Sequence, residues 1–255
     1  MKTLFQSLVI VVLIGVSASA QWTNVPRTVI PRGADGKPNP TAPAPRLADG
    51  RPDLSGVWNP PLGYVRDLAK DVKEPVPFLP DAKALYDVRA SGAKWLEEPD
   101  ANCLPQGVPK VMLAPAPWRI VQTPAVIFFV HEAFNLWWQA FTDGRTFVAS
   151  PDIAPTWHGY STATWEGDTL VVDSRGFNGK VWLDQLGKPS TEALHVTTRL
   201  TRKDFGHLTI QATIDDPKAY SKPWTTAAVQ AALVPDTDLM EFICLENEKD
   251  TRGRK

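Results

Sequence analysis

The 255-residue chain has little of what most chemistry is built from: two cysteines, four histidines and three methionines. There is no His-x-His pair, no Gly-rich phosphate loop, no G-x-S-x-G elbow and no H-E-x-x-H, because the "HEAFN" stretch at 131–135 lacks the second histidine. Those absences remove the usual signatures of zinc, nucleotide and serine-hydrolase sites, so neither metal nor cofactor is expected. Charge of one sign is also missing. A formal net charge of -1 gives no electrostatic reason to expect nucleic acid or an anionic membrane as partner. No apolar run beyond the N-terminus is long enough for a membrane span.

What is present starts with export. Lys2 supplies a positive start, 8–16 is an apolar run, and Ala18-Ser19-Ala20 matches a signal-peptidase site. Residues 1–20 therefore read as a signal peptide, and the mature protein is expected to be secreted or periplasmic. In an oxidising compartment the cysteine pair, Cys103 and Cys244, suggests one disulfide. Two buried thiols are the alternative. Residues 21–52 are rich in Pro, Gly, Ala and Asp and read as a flexible leader. The remainder, 53–255, is long enough for one core and is expected to be a single domain. Within it, 53–117 is a proline-punctuated covering segment with one short helix inside 81–98.

From Trp118 to about 247 the texture is β. "WRIVQT", "AVIFFVHEAF", "NLWWQAFT", "GYSTATW", "TLVVDSRGF", "EALHVTTRLTR", "HLTIQATI", "WTTAAVQAALV" and "LMEFICLE" are short runs separated by turn residues, giving about eight or nine strands. Leu194, Val196, Thr198 and Leu200 share one face; Leu208, Ile210, Ala212 and Ile214 repeat the pattern. One dry and one wet face predict an antiparallel meander curled into a barrel. "AVIFFV" is apolar on both sides, so the N-terminal half or a second copy of the chain is expected to cover it. Glu166-Gly167-Asp168 reads as a hairpin reversal.

Gly56-Val57-Trp58 matches the G-x-W that opens the first lipocalin strand, and the hairpin meander resembles lipocalin-like (calycin) barrels. "WEGDTLVVD" and "EFICLENEKD" also resemble an uncharacterised group of secreted bacterial proteins. The long proline-rich stretch after Trp58 and the polar C-terminus depart from the lipocalin pattern. The resemblance implies a mainly β, lipocalin-like barrel with a ligand cavity, and no particular ligand.

Candidate site residues follow from that geometry. His131 follows Ile127 and Phe129 at period two, which makes it a titratable group in an aromatic wall and a candidate base. His158 and Tyr160, at i and i+2, share a face if the strand is extended and are candidates for proton transfer. For each histidine a hydrogen-bonded structural role is the alternative. Phe129, Trp137, Trp138 and Trp182 are candidate pocket walls, and Arg145 can meet a ligand carboxylate at a barrel mouth. The favoured expectation is a cofactor-independent enzyme, a lyase, isomerase or hydrolase, acting on an aromatic or hydrophobic small molecule. The alternative is a non-catalytic carrier or sensor of such a molecule.

Overall fold

The computed structural model describes residues 29–148, 154–244 and 246. The signal-peptide segment 1–20 and the first part of the leader lie outside these residues. Twelve named elements follow in order: β1 (Gly56–Asn59), α1 (Pro80–Ala90), α2 (Lys110–Leu113), β2 (Trp118–Gln122), β3 (Val126–His131), β4 (Trp137–Phe141), β5 (Tyr160–Glu166), β6 (Thr169–Arg175), β7 (His195–Arg202), β8 (His207–Asp215), β9 (Trp224–Thr225) and β10 (Val229–Leu233).

Nine of these strands close into a mainly β barrel in the order β1-β2-β3-β4-β5-β6-β7-β8-β10, with β10 returning to β1. This agrees with a lipocalin-like barrel. β9 lies on the same edge of β8 as β10, opposite Thr213 and Ile214, while β10 takes His207 to Ile210. Thr226 bridges the two pieces: its N–H donates to the Ala212 carbonyl (2.9 Å) and its Oγ1 accepts from the Ala212 N–H (3.1 Å). A side-chain oxygen thus keeps the ladder satisfied where the strand breaks.

The alternation in the sequence sets the register. Val196 and Leu200 on β7, and Leu208, Ile210, Ala212 and Ile214 on β8, are buried inside the barrel. Each buried Val, Leu or Ile of these rows stabilises by about 1.5–3 kcal/mol, so a one-residue slip, which turns a whole row outward, is strongly disfavoured. Aromatics fill the rest of the interior. Trp138 stacks on Phe129 at 4.0 Å, and Trp118 tilts against Phe129 and His131.

Two expectations need correction. The meander is not wholly antiparallel: β4 and β5 pair in parallel, Ala140 opposite Ser161. β5 therefore starts at the same end of the barrel as β4 instead of turning back along it. The stretch "LMEFICLE" is not a last strand either. Since β1 occupies the free edge of β10, no edge is left for it. The segment is held by side chains instead: Glu132 Oε2 accepts from the Met240 N–H (3.1 Å) and Asn135 Oδ1 from the Phe242 N–H (3.2 Å). Cys244 lies here and is bonded to Cys103, with Cα atoms 5.7 Å apart.

The two barrel ends differ. At the turn end, β2–β3, β5–β6 and β7–β8 are joined by short reversals, and residues 29–52 pack over them. Phe205 and Gly206 donate to the carbonyls of Ala42 and Pro40 (2.7 Å each). Gly206 is required at this contact, since a Cβ there would sit 2.4 Å from the Pro40 Cβ. At the loop end lie three long connections, 60–117, 176–194 and 216–223. They bond to each other: Asp184 Oδ2 accepts from the Leu68 N–H, and Gln185 and Leu186 donate to Val65 and Arg66. α2 is wholly buried among them, its Val111, Met112 and Leu113 joining the barrel core. The outer face of β3 stays open, with Val126, Phe128 and Val130 half-buried and Trp137 61% exposed beside them.

Candidate functional site

At the turn end a groove of about 420 Å³ runs between the barrel wall and residues 29–45. Val57 on β1 and Val121 on β2 form its floor, Val29, Ile30 and Pro45 one wall, and Leu233 the other. Gly56 allows the floor to approach that wall, because a Cβ there would lie 2.6 Å from Leu233 Cδ1. The volume and the apolar lining are those of a small-molecule pocket. Arg119, Arg202, Asp53 and Asp236 also line it. Arg32 pairs with Asp236 (2.7 Å) and Arg119 with Asp238 (2.5 Å).

Arg202 holds the groove together. Its guanidinium lies over the rings of Trp58 (4.9 Å) and Phe205 (5.2 Å), and it donates to the carbonyls of Asp53, Ser55 and Phe205. Burial lowers its pKa to about 10, opposed by Asp53 and Asp204, so it stays charged at neutral pH. Arg202 thereby fixes both the entry to β1 and the β7–β8 turn. Its position was implicit in the sequence: it continues the dry row of Val196, Thr198 and Leu200.

The histidines lie toward the loop end. His131 is buried, and its Nε2 accepts from the Trp138 indole N–H (3.1 Å). Burial, with a smaller contribution from His158, lowers its pKa to about 3. His158 is mostly buried, and burial lowers its pKa to about 4. Its Nε2 is buried with no hydrogen-bond partner among the described residues. These two histidines are therefore neighbours, but Tyr160 does not join them. Gly159 takes φ +70° and β5 starts only at Tyr160, so the i, i+2 alignment is lost. A side chain at Gly159 would also strike the Arg175 carbonyl, 2.6 Å away. Tyr160 instead faces outward, stacked on Phe141 and accepting from Arg145 (3.4 Å).

The aromatic candidates divide in the same way. Phe129 and Trp138 pack inside the barrel, whereas Trp137 is on its outer face. Trp182 is buried at the loop end beneath the Arg89 guanidinium (4.3 Å). Arg145 lies over Phe141 and pairs with Asp143 on an exposed loop.

Sequence reasoning missed the buried ion clusters of the loop end. Lys110 pairs with Glu98 (2.7 Å) and Asp100 (2.9 Å). Lys188 pairs with Asp184 (2.8 Å) and Asp67 (2.7 Å). Burial raises the Glu98 pKa, with Lys110 opposing; burial works against the Lys188 charge, but its carboxylates prevail and its pKa rises. Most of their members are close in the chain, Glu98 and Asp100 near Lys110 and Asp184 four before Lys188, but they fall mainly in irregular segments where no strand or helix period marks residues as facing each other, and Asp67 joins from a distant segment. No family model, curated protein or solved structure matches this chain.

Proposed function

We propose that this is an exported barrel that binds a hydrophobic small molecule in the turn-end groove, as a carrier or sensor. The groove is the observation that carries the reading: about 420 Å³ with an apolar floor, the charges of Arg119, Arg202 and Asp236 in its lining being already engaged by protein partners. The state of His131 supports binding over proton transfer. A group with a pKa near 3 and its Nε2 lone pair already engaged is a weak base at neutral pH. The test is a fluorescence titration of the mature protein with 8-anilinonaphthalene-1-sulfonate. Val121→Trp adds bulk on the groove floor at a half-open position and is expected to weaken binding at least about tenfold, a change of about 1.4 kcal/mol. Equal affinity in the two proteins refutes the site.

A second reading is favoured by His158. A buried imidazole nitrogen without a partner is the kind of group that serves a cofactor-independent lyase, isomerase or hydrolase. In that case His158→Ala costs about 10²–10⁴ in turnover, while Val121→Trp leaves turnover unchanged.

A further inference from the structure

A second cavity, of about 380 Å³, adjoins the groove at the turn end. Lys37, Pro38, Pro40 and Gly206 line it, and it shares Phe205, Leu233 and Pro235 with the groove. Those three residues therefore form the partition between the two spaces. Two of them are held in place. The Phe205 N–H donates to the Ala42 carbonyl (2.7 Å), its own carbonyl accepts from Arg202, and the Arg202 guanidinium covers its ring. The Pro235 ring is closed on its own backbone and has no free rotamer.

Leu233 is different. Its backbone is fixed on the side of the second cavity, where its N–H donates to the Gly206 carbonyl (2.8 Å). Its side chain reaches the groove side, where a Cβ on Gly56 would lie 2.6 Å from Leu233 Cδ1. The residue is half-buried and packs against the cluster of Ile30, Ala42 and Phe205. One leucine side chain thus spans the wall from one space to the other, and its size and rotamer set how far the groove extends.

The lining also selects the chemistry of what fits. Among the described residues, Phe205 is the one aromatic side chain along the groove, so no pair of facing rings offers a slot for a planar ligand. The other apolar contacts are aliphatic, from residues such as Val29, Ile30, Val57 and Val121. Arg119 and Arg202 are engaged by Asp238 and by backbone carbonyls, so neither waits for a buried anionic head.

We propose that the groove takes an unbranched alkyl chain whose polar end stays in solvent, and that Leu233 determines the longest chain it accepts. This rests on the groove being the ligand site.

The test measures calorimetric affinities of n-alkanoates, from hexanoate to hexadecanoate and below their micelle concentrations, for the unsubstituted protein, Leu233→Ala and Leu233→Phe. Each added CH₂ that meets apolar wall is expected to tighten binding about fourfold, up to the length at which the groove is full. Beyond that length the gain stops. Leu233→Ala opens the second cavity and moves this break to longer chains, so that hexadecanoate binds at least about tenfold more tightly than to the unsubstituted protein. Leu233→Phe moves the break to shorter chains, and loosening of the wall alone would not produce shifts of opposite sign. A break at the same length in all three proteins overturns the role of Leu233 and leaves the groove standing. Affinity that does not grow with chain length overturns the alkyl chain as ligand; if Val121→Trp also leaves 8-anilinonaphthalene-1-sulfonate binding unchanged, the groove itself falls. Hexadecanoate carrying a terminal diazirine provides a readout that needs no variant. It is expected to label groove peptides of the unsubstituted protein and to leave the peptide carrying Lys37 and Pro40 untouched; labelling of that peptide overturns the partition.

Discussion

The two ends of the barrel solve the same problem, closing a ring of strands, by opposite means. At the turn end, three short reversals are tied down by backbone hydrogen bonds and one arginine, and ion pairs such as Arg46–Asp168 stand in solvent. At the loop end, 85 residues of long connection are held by buried ion clusters and a disulfide that spans 141 positions. The difference teaches where strength and function separate. Buried charges lock a structure because breaking them leaves a bare ion, whereas an end closed by apolar contacts and satisfied carbonyls can leave a groove for something else.

The sharpest way to break the comparison is to release the loop end. Replacing Cys103 and Cys244 by Ala frees a loop of 141 residues and is expected to destabilise by about 4–5 kcal/mol in the chain-entropy model. Denaturant titration of the oxidised protein and the variant reads this directly; a difference below about 1 kcal/mol would show that the loop end does not depend on the crosslink. Next is Lys110→Met, which leaves two carboxylates facing each other and should cost about 3–5 kcal/mol. The matching change at the turn end, Arg46→Ala, removes an exposed pair and should be silent in the same titration.

Acid provides a graded version. His131 and His158 titrate near 3 and 4 when folded, against 6.5 unfolded. Between those values the unfolded chain binds protons that the folded one refuses. Stability is therefore full above about pH 6.5 and falls as the pH drops, by up to about 1.4 kcal/mol per pH unit for each histidine. His131→Gln should roughly halve that slope between pH 6 and 4.5. An unchanged slope would place the acid sensitivity in other groups.

Much of the barrel was legible because alternation is a local signal. The rows 194–200 and 208–214, the Glu166-Gly167-Asp168 reversal and the helix starting at Pro80 all appear where the pattern puts them. The disulfide was legible by pairing the only two cysteines. What failed was non-local. Whether "LMEFICLE" forms a strand depends on a free edge, and β1, nearly 180 residues earlier, had taken it. Whether His158 and Tyr160 share a face depended on a single glycine's φ. The groove draws its walls from three distant stretches, around 30, 57 and 233, so no window of sequence contains it. Arg202 was the one available clue, a charge in a dry row, which an alternation count exposes.

Placement of the ligand tests the account most directly. An aliphatic diazirine probe can be bound to the protein, photolysed and mapped by peptide mass spectrometry. The account predicts labels on the peptides carrying Val57, Val121 and Leu233, competed away by 8-anilinonaphthalene-1-sulfonate. Labels concentrated instead on the peptides carrying His158 and Trp182 would contradict it and move the site to the loop end.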